Sequence, residues 1–457
     1  MSDDYDVLVI GAGTGGYSCA LRLAQLGKRV GLIDRDERVG GTCLLRGCIP
    51  TKALLRSAEV MDTVHRSREW GVRAVGEPDW AEIHGFKDRV VNKLVTGLAG
   101  LLKARGVEVI RGSARLAPGP EVEVDGRRLR AADVVLATGS RPRMLPGLER
   151  SERVITSDEA LGMPAPPSAV IIGAGAIGLE FASLWRSFGS EVTVLEMLPA
   201  LAPLEDADVS KELARAFRRR GITGVPGATV RDVTDTGSSV DVTYEAKGAT
   251  KTVSAQVCLV AVGRGPVTED LGLEAAGVEL DHGFVKVDGA LRTTAPHVWA
   301  VGDVASTPLQ LAHVAFTEGY AVAERIAGLG VPEIDYAGIP RVTYSSPEIA
   351  SVGLTEAQAR ERGHDVVVEV LNLQGIGKAN ILGEGGIAKV VAERDGRILG
   401  VHLVGPHVTD LIAEPMLIVN WEATPAEVAA LFHPHPSLSE AVGEAHLALA
   451  GKPLHGA

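Results

Sequence analysis

Cysteine is scarce in this chain, with four residues in 457. That density excludes the disulfide frameworks that staple small secreted domains. Long apolar runs are missing as well. No stretch of about eighteen uninterrupted apolar residues occurs, so a membrane-spanning helix is not expected. Positive charge is not in surplus: the formal net charge is −12. Such a balance repels phosphate backbones and disfavours nucleic acid as a partner. No block of one sign is long enough to read as a charged tail. The opening residues, MSDDYDVLVIGAG, place no basic segment before a long apolar one. A secretory leader is therefore not expected, and a cytoplasmic location is. What remains is a chain with 46% hydrophobic and 23% charged residues, long enough for two or three packed domains.

Two segments of the chain repeat one design. YDVLVIGAGTGGYSCALRLAQLGKRVGLID reads as a short apolar strand, the turn Gly11-x-Gly13-x-x-Gly16, a helix stopped at Gly27, and a second strand ending at Asp34. SAVIIGAGAIGLEFASLWRSFGSEVTVLE repeats the order with Gly173, Gly175 and Gly178, a helix stopped at Gly189, and a strand ending at Glu196. The same number of residues separates Gly11 from Asp34 as Gly173 from Glu196. Glycines there permit a tight turn and let backbone N–H groups meet a pyrophosphate at the helix start. The terminal acid can accept hydrogen bonds from ribose hydroxyls. One G-x-G-x-x-G is a weak signal, because any tight strand-to-helix turn uses glycine. Two copies, each with both strands and the acid, predict two dinucleotide sites. Met197, Leu198 and Pro199 follow Glu196 and bring no arginine for a 2′-phosphate. NAD is therefore expected at the second site rather than NADP.

Cys43 and Cys48 stand together in GGTCLLRGCIPTK, directly after the first unit. Cys19 and Cys258 lie in apolar periodic stretches and read as small core residues. The close pair is open to three readings: catalytic, metal-binding or incidental. Metal is the weakest, since no further Cys or His nearby completes a ligand set. Two thiols and a nicotinamide exchange electrons poorly without an intermediary, and a flavin can serve both. FAD is thus expected at the first site and NAD at the second. Cys48 opens a helical stretch, where free N–H groups and the helix dipole stabilise a thiolate. Lys52, one turn on, adds positive charge.

These residues resemble the active-site signature of the pyridine nucleotide–disulfide oxidoreductases, and the likeness extends along nearly the whole chain. LATGS, containing Thr138, Gly139 and Ser140, resembles the flavin-domain segment that leads to the nicotinamide domain. AVGD, ending at Asp303, resembles the element that holds the ribityl chain. LAH, comprising Leu311, Ala312 and His313, resembles the stretch beside the isoalloxazine ring. The resemblance implies further flavin contacts from Gly41, Thr42, Lys52 and Ala114. It implies nicotinamide contacts from Ile177, Val230 and Gly263 beside the glycines and Glu196. It also implies roles for the sulfurs: Cys48 as the charge-transfer thiolate and Cys43 as the one that exchanges with substrate. Lys52 would approach the flavin and pair with Glu180, which suits the need of a buried ammonium for a counter-ion.

LFHPHPSLSEAVGEAH holds His433, His435 and Glu440. Disulfide exchange needs a base that makes a thiolate, and a histidine oriented by a carboxylate provides one. A histidine in a loop is ordinarily just solvated. The resemblance to the family's His-Pro motif implies that His435 is the base, Glu440 its orienting acid and His433 a supporting residue. It also implies an obligate homodimer in which the base serves the partner's disulfide.

The expected fold is α/β, with two Rossmann-like dinucleotide domains and a C-terminal α+β dimerisation domain. The flavin domain would span 1–147 and 268–331, with the nicotinamide domain 148–267 inserted and the dimerisation domain at 340–457. GGIAKVVAERDGRILGVHLVG reads as a hairpin turning at Asp395-Gly396. Within the family, the branch that oxidises dihydrolipoamide with NAD+ fits best. The tail lacks the vicinal cysteines of mercury-reducing members, and Leu45, Arg46 and Thr51 depart only modestly from the commonest cysteine motif. The expected partners are a dithiol substrate or the lipoyl domain of an acyltransferase, in a 2-oxo acid dehydrogenase complex. A reductase of another small disulfide, of mycothione or glutathione type, is the alternative. A non-catalytic NADH sensor would not need the cysteine pair, His435 and Glu440 together.

Overall fold

The structure is a computed structural model and describes residues 4–119 and 121–455. The first three residues of the expected flavin region, Pro120 and the last two residues of the tail lie outside the described residues. The chain forms two compact units. One comprises Met1–Leu54, Ala81–Arg143 and Arg264–Tyr336; the other comprises Leu55–Trp80, Met144–Gly263 and Ala337–Ala457.

In the first unit the strand Asp4–Ile10 lies between Val30–Asp34 and Arg127–Leu136, parallel to both. Glu108–Arg111 extends one edge in parallel, and Val298–Ala300 also pairs in parallel with Arg127–Leu136. Ala114–Ala117 and Glu121–Val124 form an antiparallel meander with the start of that long strand. A parallel sheet is covered on both faces, which explains why VLVI is apolar without alternation. Successive residues still divide between two cores. Val7 and Val9 pack with Cys19, Leu23, Leu32 and Val135. Leu8 and Ile10 pack on the opposite face with Ile33, Val134, Leu136 and Leu129. Cys19 is fully buried there, as a small core residue should be.

The second unit repeats this βαβ arrangement. Ser168–Ile172 lies between Glu191–Glu196 and Val257–Val260, parallel to both, with Ile222–Pro226 and Val154–Ile155 outermost. Thr229–Asp235, Val240–Ala246 and Ala249–Ala255 form a separate antiparallel sheet. A five-stranded antiparallel sheet follows, in the order Arg341–Thr343, Glu348–Gly353, Ile398–Gly405, Ile387–Glu393 and Val366–Asn372. Its central hairpin turns where expected, with Asp395 at φ +56°. Helix Glu440–Leu449 buries Ala441, Val442 and Ala445 in the core of that sheet. Lys389 is buried in the same hairpin and reaches Asp206, Asp208 and Glu356 at 2.7–2.8 Å. Burial alone would lower its pKa; three carboxylates outweigh that and keep it charged.

Candidate functional site

The two glycine turns have the same construction, and each glycine has its own reason. The first has positive φ, +106° at Gly11 and +107° at Gly173. A Cβ there would lie 2.2 Å from the Ala137 carbonyl oxygen, or 2.4 Å from that of Ala261. The third glycine closes the turn on the first: a Cβ would meet the Gly11 oxygen at 1.8 Å from Gly16, or the Gly173 oxygen at 2.0 Å from Gly178. The middle glycine is different. Gly13 and Gly175 have ordinary φ of −74° and −79°. A Cβ on Gly175 would meet nothing within 4 Å, and one on Gly13 only the Gly41 Cα at 3.9 Å. No protein atom requires glycine at these two positions. A ligand that must approach the backbone does.

The helix starts agree. Thr156, Asp206, Thr355 and Thr424 cap the helices that follow them with their side chains. Helices Thr14–Gln25 and Ala176–Ser187, which carry Ile177 in the first turn of the latter, have no side-chain cap. Their first amides are left for another acceptor. The terminal acids are fixed alike. Asp34 accepts from the Ala12 and Asp36 amides at 2.5 and 2.8 Å; Glu196 accepts from the Ala174 and Leu198 amides at 2.7 and 2.8 Å. Burial pushes the Asp34 carboxyl up, against the pull of those amides. Both cradles therefore fit a dinucleotide pyrophosphate with a ribose at the acid.

This construction separates binding from stability. Gly175→Val should leave Tm nearly unchanged while raising KM for the nicotinamide nucleotide. Hydrogen bonds to charged groups contribute about 1.5–3 kcal/mol, so the expected rise is ~10-fold or more. Gly178→Val should instead lower stability by about 1–3 kcal/mol, the usual range for overpacking. Thermal melts and steady-state kinetics on both variants check the contrast.

Gly41 packs against the first cradle: its φ is +58°, and a Cβ would lie 2.5 Å from the Gly13 Cα. It opens helix Gly41–Arg46, which carries Thr42 and Cys43, and Cys48 opens helix Cys48–Arg66. No disulfide joins the two sulfurs. They are in contact, and the Cys43 thiol is pushed up, first by its hydrogen bond to Cys48, then by burial and the Cys48 charge. Lys52 and the Cys48 amide act in the opposite direction. The balance keeps the proton on Cys43.

Two neighbouring residues of the first unit were not legible as functional. Tyr17, directly after the third glycine, has its hydroxyl pKa raised by burial and then by Cys43 and Cys48, so it lies within electrostatic reach of both sulfurs. Arg264 follows the strand Val257–Val260 and carries no motif of its own. It donates from Nε to Ser140 Oγ and from Nη2 to the Ser140 carbonyl, both at 2.7 Å. Ser140 Oγ in turn donates to Asp303 Oδ2 at 2.5 Å. An arginine shortly after a strand, facing a serine in LATGS, was a detectable signal only with the two segments already superposed.

The remaining predicted residues of the first unit sit at element ends. Thr138 donates to the Val267 carbonyl at 2.7 Å, and Gly139 has φ +72°. Ala114 begins its strand; Leu311 precedes helix Ala312–Ile326, whose first turn holds Ala312 and His313. In the second unit, Val230 lies in strand Thr229–Asp235, and Gly263 has φ +106° with open space beyond its Cα. Glu180 is buried and accepts from the Tyr344 amide at 3.1 Å. His435 bonds Glu440 through Nδ1 at 2.7 Å, and its side chain is 77% exposed. Nε2 bonds no described residue. Burial works against ionisation of Glu440, but the Ser437 amide and the His435 ring carry its pKa below the ordinary value. His433 pairs with Glu414 at 2.8 Å.

Comparison with known proteins gives a consistent result. Residues 5–319 match the family model described as pyridine nucleotide-disulphide oxidoreductase, and residues 339–446 match the dimerisation domain of that family. A dihydrolipoyl dehydrogenase of Bacillus subtilis (strain 168) is 43% identical over 476 residues, covering 100% of both chains. A protein of the same name from Thermus scotoductus is 41% identical, covering 99% of this chain and 98% of its own. LpdA from Mycobacterium tuberculosis superposes with a TM-score of 0.89 at 29% identity, over 97% of this chain and 99% of its own. RclA, a HOCl-induced flavoprotein disulfide reductase from Escherichia coli, gives 0.87 at 29% identity over the same shares.

Proposed function

We propose a function for this chain from one premise: it belongs to the pyridine nucleotide-disulphide oxidoreductase family. It is an oxidoreductase that binds FAD and NAD(H), and its reaction is the oxidation of dihydrolipoamide to lipoamide by NAD+. The observation that carries this reading is the pair Cys43 and Cys48, in contact at a helix start beside the first cradle. No helix is long and apolar enough to cross a membrane among the described residues.

The glycines at 11, 13 and 16 would hold FAD with Asp34, Gly41, Thr42, Lys52, Ala114, Thr138, Gly139, Ser140, Asp303 and the Leu311–His313 stretch. The glycines at 173, 175 and 178 would hold NAD with Ile177, Glu196, Val230 and Gly263. FAD, when bound, carries an electron pair from the sulfurs to the nicotinamide. Everything else is done by side chains.

Cys43 and Cys48 begin as a disulfide. His435 takes the proton of one substrate thiol at Nε2, and Glu440 stabilises the imidazolium. The thiolate attacks the Cys43 sulfur; the Cys43–Cys48 bond breaks, and Cys48 leaves as a thiolate held by the helix start and Lys52. The second substrate thiol then attacks the substrate sulfur attached to Cys43. The lipoamide disulfide closes, and Cys43 leaves with that thiol's proton. Two electrons and two protons are now on the protein: a Cys48 thiolate, a Cys43 thiol and a His435 imidazolium. Lys52, one turn beyond Cys48, would steady this charge.

The dimerisation domain at 339–446 supports a homodimer; in it the base of one protomer would serve the sulfurs of the other. The dithiol would be presented by the lipoyl domain of an acyltransferase in a 2-oxo acid dehydrogenase complex. Rates with lipoamide, glutathione disulfide and mycothione, each with NADH and then NADPH, test the assignment. Lipoamide with NADH should be fastest. A faster rate with either other disulfide would move the chain to another branch of its family.

A further inference from the structure

Glu318 takes no part in the chemistry above, yet it is one of the most enclosed acids in the chain, with 0% exposure. Burying a carboxylate is costly unless donors surround it. They do here. Glu318 lies in helix Ala312–Ile326, and its Oε2 accepts the Gly302 amide at 2.6 Å. Its Oε1 accepts the Tyr336 hydroxyl at 2.8 Å, and the Thr307 side chain donates as well.

One of these donors leads to the flavin cradle. Gly302 has φ +72° and begins the short helical turn Gly302–Val304. The next residue is Asp303. Its Oδ2 is held by Ser140, itself held by Arg264, while Oδ1 bonds no described residue. Asp303 is thus fixed twice: its side chain through Ser140, and its backbone through the amide before it. Glycine has the widest conformational freedom of any residue, so this turn gains from an external restraint. Without the carboxyl, the Gly302 amide loses its buried acceptor and the turn is free to rearrange.

We propose that Glu318 is a positioning residue for FAD: it fixes the Gly302 amide so that Asp303 presents one open carboxylate oxygen to the hydroxyls of the ribityl chain. This rests on the flavin reading above. A glutamate suits the task because it accepts from several donors at once, whereas a glutamine carbonyl has one oxygen to offer. Tyr336 can nevertheless reverse its hydroxyl and accept from a glutamine amide, so Glu318→Gln should retain the restraint on Gly302.

The test is the FAD dissociation constant of the full-length holoenzyme, measured by dilution with flavin fluorescence, alongside the Tm of holo and apo forms. Glu318→Ala should weaken FAD binding ~10-fold or more, since it leaves the buried Gly302 amide without its acceptor. Glu318→Gln should stay within ~3-fold of the parent, because a substitute acceptor remains for the amide. Tyr336→Phe removes a donor without touching Gly302; it should lower both Tm values and leave FAD affinity within ~3-fold. A purely structural role would lower both Tm values and leave affinity alone in every variant. Unchanged affinity in Glu318→Ala overturns the inference, as does a loss in Tyr336→Phe equal to that in Glu318→Ala. If Glu318→Ala does not fold, Glu318→Asp decides. It is one methylene too short to reach both partners, so a ~10-fold loss supports the inference and unchanged affinity overturns it. A parent protein that holds no FAD would overturn the flavin reading itself, which is a different result.

Discussion

Cys48→Ser is expected to reduce dihydrolipoamide turnover by about 10⁴-fold or more, the scale seen when a residue of a covalent catalytic unit is removed. The reason is stoichiometric. With serine at this position no disulfide can form with Cys43, and the substrate's electron pair has no acceptor on the protein. The fold should survive, because the position is half-buried at a helix start and a hydroxyl replaces a thiol of similar shape. The Cys43 thiol should also become more acidic, since the hydrogen bond and charge of Cys48 act beside burial to hold its pKa up. Steady-state assays check the first effect, and the pH dependence of Cys43 alkylation checks the second. Turnover above a tenth of the parent rate would remove Cys48 from the chemistry.

His435→Gln should give the second largest loss, ~10²–10⁴-fold in lipoamide turnover, the usual contribution of a positioned general base. Reduction of an artificial dye by NADH needs no base for a dithiol and should fall far less. The geometry motivates the split. Glu440 is anchored by the Ser437 amide at 2.8 Å and holds His435 through Nδ1, so Nε2 is the nitrogen left for the substrate proton. Glutamine can fill the space and bond Glu440, but it takes up no proton near neutral pH. Equal loss of both activities would mean that the loop supports the fold rather than the proton transfer.

Much of the site was legible because it is built from short segments. The glycine cradles are set by backbone contacts within a few residues, as the approach of Gly16 to the Gly11 oxygen shows. Cys43 with Cys48, and His435 with Glu440, are likewise near neighbours along the chain. The hairpin at Asp395 follows from local turn preference. What escaped depends on segments far apart. Arg264 meets Ser140 across 124 residues, and Lys389 meets Asp206 across 183. Tyr17 gains interest only once the cysteine segment is folded against the first helix. Glu318 resembles any acid in a helix until the Gly302 amide is seen pointing at it. The two compact units were also beyond reach, because the grouping of Leu55–Trp80 with later segments is decided by tertiary contacts alone.

The most direct measurement is of the sulfurs themselves. The oxidised enzyme is mixed with dihydrolipoamide without oxygen, quenched in acid, alkylated and digested, and the peptide carrying Cys43 and Cys48 is weighed. The peptide should carry no label before substrate, two after it, and none again once NAD+ is added. A peptide whose labelling does not change while lipoamide accumulates would contradict the account.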